Sequence, residues 1–102
     1  MIQDNVLQQV ISLLTSYPGV EEIYLFGSRS NGTASERSDY DIAIRTTGIS
    51  DKEFNLLALQ VQEEVFTLHK IDIVHLNTLS NPVLLDNIIH KGQLLFKRVP
   101  QS

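Results

Sequence analysis

Two short motifs carry the residue types that do phosphate chemistry. Gly27-Ser28 follows an apolar run that ends at Phe26, and after ten further residues comes Asp39-Tyr40-Asp41. A Gly-Ser turn can present backbone N–H groups to a phosphate, because glycine allows close approach and a following helical turn adds its dipole. Aspartates at i and i+2 of a strand point to one face, and oxygen ligands grouped in this way suit Mg²⁺. The spacing therefore indicates a metal-dependent reaction on a phosphate group.

The surrounding apolar residues alternate between helical and extended periods, as in a sheet covered by helices. We predict helices at Val6–Leu14, from Ser50 along an apolar stripe to Leu68, and at Asn81–Gly92, with strands at Glu22–Phe26, Asp39–Arg45, Ile71–Leu76 and Gln93–Arg98. A helical turn at Ser28–Gly32 and a loop at Thr33–Ser38 would join the two motifs. The predicted fold class is α/β (α+β), a small mixed β-sheet flanked by helices, and its third strand carries a further carboxylate, Asp72.

Composition limits the classes of protein to which the chain can belong. Its 102 residues, 42% apolar and 20% charged, favour a single globular domain spanning residues 1–102. The net charge is −4 and the eight Lys and Arg residues are scattered, so long nucleic acid is not the expected partner. The sequence shows no apolar run of membrane-spanning length, no basic N-terminal signal and no cysteine. We therefore expect a cytoplasmic protein without disulfides or a membrane partner.

Together these motifs resemble the nucleotidyltransferase domain of the DNA polymerase beta superfamily, and most of all its minimal branch. The resemblance covers nearly the whole chain and is carried by four stretches: Phe26-Gly27-Ser28-Arg29, Ser38-Asp39-Tyr40-Asp41-Ile42-Ala43, Ile71-Asp72-Ile73-Val74 and Ile88–Phe96. It implies a polymerase beta-like fold and the transfer of a nucleotide from a nucleoside triphosphate, with ATP as the default substrate.

The resemblance also implies roles for individual residues. Asp39 and Asp41 would hold two Mg²⁺ ions, while Asp72 would complete the catalytic metal site and help to deprotonate the acceptor hydroxyl. Gly27 and Ser28 would hold the triphosphate, with Arg29 beside them to neutralise its charge. Two metals about 3.5–4 Å apart can stabilise the attacking and the leaving oxygen of an in-line displacement.

Minimal members of this superfamily are typically encoded beside a small helical protein of the HEPN class. That partner is either a substrate-binding subunit or an RNA-cleaving toxin, which the nucleotidyltransferase silences by transferring AMP to a tyrosine hydroxyl. The resemblance thus implies an antitoxin that adenylylates its partner. The alternatives are a non-catalytic module that binds nucleotide and occludes the partner, and a small-molecule nucleotidyltransferase of the antibiotic-modifying kind. A template-directed polymerase fits the acidic composition least.

The long predicted helix carries apolar residues away from its core stripe. Leu56, Leu59 and Phe66 lie roughly 120–200° around the helix from the centre of that stripe, at 100° per residue. Either a neighbouring element covers them or they form an interaction surface.

Several charged or titratable residues have weaker signals. Arg37 and Lys91 are candidates for the rim of the site. His69, His75 and His90 lack metal-ligand spacing, which predicts structural or surface roles for them.

Overall fold

A computed structural model describes residues 4–27 and 39–99. Within these ranges the chain forms α1 (Asn5–Thr15), β1 (Val20–Phe26), β2 (Tyr40–Thr46), α2 (Asp51–Glu64), β3 (Ile71–His75), a short 3₁₀ helix (Leu76–Thr78), α3 (Pro82–Lys91) and β4 (Gln93–Lys97). The helical turn and loop predicted between the two motifs lie outside the described residues. No helix in the described ranges has the length and apolar character needed to cross a membrane.

The four described strands form one mixed sheet with the order β3-β2-β1-β4. Strand β1 is antiparallel to both β2 and β4, whereas β2 and β3 are parallel. Parallel neighbours need a crossover connection, and α2 supplies it between β2 and β3. The predicted fold class, a small mixed sheet flanked by helices, is confirmed.

Alternation along the strands divides the buried side chains between the two faces of the sheet. Helices α1 and α2 cover one face, and α3 covers the other. The larger cluster, between the sheet and the first two helices, includes Val10, Leu14, Ile23, Ile42, Ile44, Leu57 and Val61. The smaller cluster includes Tyr24, Ala43, Leu76 and Ile88. Because Asp41 alternates with Ile42 and shares its face with Ala43, its carboxylate lies on the α3 side.

Each α-helix in the described part of the chain begins at a capping side chain. The Asp4 carboxylate accepts from the N–H of Leu7, and Ser50 forms a capping box with Glu53 at the start of α2. The Asn81 side chain accepts two backbone N–H bonds at the start of α3, where Pro82 takes the first helical position. These local signals fix where each helix starts.

The second helix ends earlier than its apolar stripe predicts. It stops at Glu64, Val65 is extended, and Leu68 is fully exposed, so its assignment to the core stripe is wrong. The cause is a tertiary contact: the side-chain amide of Gln9 on α1 accepts from the N–H of Phe66 at 2.8 Å and donates to its carbonyl at 3.3 Å. This pairing satisfies backbone groups that would otherwise continue the helix.

The second apolar surface of α2 is exposed in the described part of the chain. Leu56 and Leu59 are 58% and 53% exposed, and Phe66, just beyond the helix, is 88% exposed. The interpretation that a neighbouring element covers these residues is therefore wrong for the described part of the chain.

Candidate active site

Gly27 brings the end of β1 against the carboxylate of Asp41. It has a φ of +76°, a conformation that glycine adopts without strain, and a Cβ built on it would overlap Asp41 Oδ2. The preceding residue, Phe26, pairs with Asp41 across the antiparallel β1–β2 ladder. The absence of a side chain at Gly27 therefore lets main chain and carboxylate approach each other closely.

Asp41 and Asp72 are direct neighbours across the sheet. They are Cα partners in the parallel β2–β3 register, on strands that lie about 4.8 Å apart, so both carboxylates lie on the α3 face. Asp39, immediately before β2, is exposed. The structure thus places Asp41 and Asp72 side by side on one face of the sheet, and the charge of Asp39, two residues before Asp41, acts on the same carboxylate.

The electrostatics of Asp41 record this crowding. Partial burial raises the pKa of the Asp41 carboxyl, and the negative charges of Asp72 and then Asp39 raise it further. Among the described residues no cation contributes to this shift of the Asp41 pKa, whereas the Lys70 ammonium lies 3.4 Å from Asp72 Oδ1. A cluster of this kind is relieved by protonation or by a positive ligand.

The donor set suits a hard divalent cation. It consists of carboxylate oxygens that repel one another, with exposed surface for further ligands such as water and phosphate. In residues 4–27 and 39–99, however, no three His, Asp or Glu side chains stand at the spacing of a metal site. The fit is therefore chemical: the right atoms share one face and carry an unfavourable excess of negative charge.

Two contacts that the sequence motifs do not indicate hold the site edge in register. The N–H of Tyr40 donates to the carbonyl of Lys70 at 2.9 Å, which joins the starts of β2 and β3. The hydroxyl of Tyr40 donates to the carboxylate of Asp4 at 2.7 Å. In the sequence, the only indication of these contacts is the position of the two residues: Lys70 lies two residues before Asp72, and Tyr40 lies between Asp39 and Asp41.

The remaining candidates are scattered. Ser28, Arg29 and Arg37 lie outside the described residues. Lys91 is exposed at the end of α3, near the end of β1, since Gln93, two residues further on, pairs with Leu25.

The histidines have surface or structural surroundings in the described chain, as the sequence predicts. The ring of His69 contacts Tyr40 edge-on, and His90 is exposed beside Asp86. His75 is buried, lies 2.7 Å from the hydroxyl of Thr46, and stacks on a phenylalanine of α2.

A family profile assigns the chain to a class of protein. The profile of "Polymerase beta, Nucleotidyltransferase" matches residues 8–101, and the chain therefore belongs to the polymerase beta nucleotidyltransferase family. The predicted family is confirmed, and with it the polymerase beta-like fold. No curated protein matches the chain.

Solved structures place the chain near toxin–antitoxin proteins. It is 29% identical to a chain of a toxin–antitoxin structure with AMP-PNP, with a TM-score of 0.72, covering 89% of this chain and 73% of the other. A chain of a MntA-HpeT toxin–antitoxin mutant with two Asp-to-Glu changes gives 26% identity, a TM-score of 0.71 and the same coverages. A chain of a Tyr-to-Ala mutant of that complex is 25% identical, with a TM-score of 0.67, over 96% of this chain and 75% of the other.

Proposed function

We propose that this chain is a Mg²⁺-dependent nucleotidyltransferase that transfers AMP from ATP to a tyrosine hydroxyl of a small helical HEPN-type protein. By this modification it acts as the antitoxin of that protein. One observation carries the proposal: Gly27, Asp41 and Asp72 meet at one edge of the sheet in a chain of the polymerase beta nucleotidyltransferase family. The similarity to toxin–antitoxin structures, one of them with AMP-PNP, supports an adenine nucleotide as the ligand and a toxin as the partner.

The three aspartates would hold the cation. Asp39 is exposed, while Asp41 is partly buried and carries a raised pKa, so that positive charge there relieves an existing repulsion. When bound, Mg²⁺ supplies positive charge that offsets the charge developing on the phosphate oxygens. Gly27 and Ser28 would take the triphosphate through their backbone N–H groups, with the Arg29 guanidinium beside them.

Asp72 would act on the acceptor. Its side chain is 43% exposed, so a hydroxyl carried by another protein can reach it. As the acceptor oxygen bonds to the α-phosphorus, its proton passes to the Asp72 carboxylate, the bond from the α-phosphorus to the bridging oxygen breaks, and pyrophosphate leaves. Lys70, at 3.4 Å from Asp72 Oδ1, holds that carboxylate beside the start of β3.

Mass spectrometry tests this proposal directly. The proposed partner, a small helical HEPN-type protein, would be incubated with MgATP and the wild type, Asp39→Ala, Asp41→Ala or the control Asp86→Ala. Asp86 is exposed on α3 and is paired only with His90 among the described residues, so its variant reports any general loss from removing a carboxylate. We expect added AMP mass with the wild type and the control, and none with the two site variants.

Two results would count against transfer as the function. A folded double variant, Asp39→Ala with Asp41→Ala, that still adds nucleotide at the wild-type rate would refute the assigned carboxylates. An unchanged mass with every variant, together with a stable complex and full neutralisation of the partner, would instead identify a module that acts by occlusion.

A further inference from the structure

The outer side of α2 carries a regular row of exposed side chains. Lys52, Leu56, Leu59 and Glu63 are all exposed and follow one another at spacings of four, three and four residues. Residues three and four apart are neighbours on a helix surface, so the four side chains form one continuous line. It lies opposite the buried stripe that faces the sheet.

The row is complementary to itself in one orientation. Its centre falls between Leu56 and Leu59, which is also the middle of α2. The row has the positive charge of Lys52 at one end and the negative charge of Glu63 at the other. A two-fold axis through that centre places Lys52 against Glu63 of a second copy, and Leu56 against Leu59 of that copy. A parallel arrangement would instead place each charge against its like, which is unfavourable.

We infer that the occupant of this surface is a second copy of the chain, paired through α2 in an antiparallel, two-fold arrangement. A two-fold interface uses the same patch on both subunits, which requires the self-complementarity that this row has. Within the described residues neither Lys52 nor Glu63 forms an ion pair, so both charges are available to a partner.

Two features of the fold prepare α2 for this contact. The capping box at Ser50 fixes the first turn and hence the position of Lys52 in the row. Beyond the C-terminal end of α2, Gln9 forms hydrogen bonds with the backbone of Phe66, whose ring is exposed. This exposed ring adds apolar surface three residues beyond Glu63, near the negatively charged end of the row.

The size of the surface sets the strength of the association. One short helix face per copy gives an interface below about 1,200 Å², the range of weak and transient complexes. We therefore expect a dissociation constant on the order of 10–100 µM.

The pairing leaves the candidate active site open. Helix α2 packs on the face of the sheet that carries Ile42 and Ile44, whereas Asp41 and Asp72 lie on the α3 face. Self-association and nucleotidyl transfer are therefore separable, and this inference does not depend on the proposed function.

Sedimentation velocity across protein concentrations from about 5 to about 500 µM tests the inference. We expect the wild type to pass from monomer to dimer. Leu59→Glu should keep the chain monomeric, while Val83→Glu, a matched change at a 70% exposed position on α3, should leave the dimer unaffected. Circular dichroism of each variant checks that the fold is retained.

Charge reversal distinguishes the antiparallel arrangement from any other. Lys52→Glu and Glu63→Lys each replace two ion pairs by two repulsions, so each should raise the dissociation constant about tenfold at low salt. The double reversal should restore dimerisation, and the two single variants mixed together should pair with each other. A wild type that stays monomeric throughout, a dimer that survives Leu59→Glu, or a double reversal as weak as the singles would each overturn the inference.

Discussion

Asp41→Asn should make the metal-free protein more stable while removing its activity. At neutral pH the Asp41 carboxylate is partly desolvated and is repelled by Asp72 and Asp39, and these are the causes that raise its pKa. Asparagine has nearly the same shape, carries no charge, and can occupy the space against Gly27. The substitution therefore removes an unfavourable charge at little steric cost.

The register between β2 and β3 gives the magnitude. If the two charges are taken to lie at the strand spacing of about 5 Å, in surroundings of effective dielectric constant about 40–80, they repel by about 0.8–1.7 kcal/mol. For a domain of this size, a gain of about 1 kcal/mol corresponds to a rise in melting temperature of about 4 °C.

The dependence on pH has a definite sign. Because the pKa of Asp41 is raised in the folded state above its ordinary value of 3.8, the native state binds more protons than the unfolded chain above that value. The wild type therefore loses stability as the pH rises through this window, and the asparagine variant escapes that loss. Its advantage should be largest near pH 7 and should shrink as the pH falls toward 4.

Thermal unfolding followed by circular dichroism, in EDTA and low salt at several pH values, measures this directly. Adding Mg²⁺ should raise the melting temperature of the wild type by mass action and that of Asp41→Asn much less. Asp39→Asn, at an exposed position and the weakest named cause of the shift, should give a smaller gain. A variant no more stable than the wild type at pH 7, or a difference that does not change with pH, would refute the reasoning.

Three further changes have expected outcomes. In urea unfolding, Gly27→Ala should lower the free energy of unfolding by about 2 kcal/mol or more, since the new Cβ meets the Asp41 carboxylate. Gly48→Ala, with φ +69° but open space around it, should lower it by only about 1 kcal/mol in the same assay. The Arg45 guanidinium lowers the pKa of Glu22, so Glu22→Gln should cost about 0.5–1 kcal/mol at pH 7, and this difference should vanish as the pH falls through the lowered pKa; an undiminished cost at pH 3 would contradict it. Asn81→Ala should cost about 1 kcal/mol by losing the cap of α3, and Asn81→Ser should recover most of it in the same denaturation assay.

The candidate site destabilises the folded chain, and the packed core offsets that cost. The crowded aspartates lie beside a core whose central side chains, such as Ile42 and Ile44, have no exposed surface. The same strand that buries these isoleucines on one face therefore carries repelling carboxylates on the other. Such local conflict is characteristic of functional sites, where the ligand supplies the missing opposite charge.

The sequence by itself determined the local features of this protein. Caps at Asp4, Ser50 and Asn81 act within one helical turn, and period-two alternation assigns Asp41 and Ile42 to opposite faces without reference to any other strand. Motif spacing was also enough to predict the family, which the profile over residues 8–101 confirms.

Only the tertiary structure decided how these pieces meet. Pairing between β2 and β3 sets Asp41 opposite Asp72, although they lie 31 positions apart in the sequence, and no local preference encodes that register. The end of α2 depends likewise on Gln9, whose side chain accepts a hydrogen bond from the backbone N–H of Phe66, 57 positions away. Hydrogen bonds and charges act through space, so a contact between distant segments becomes visible only once the chain has folded back on itself.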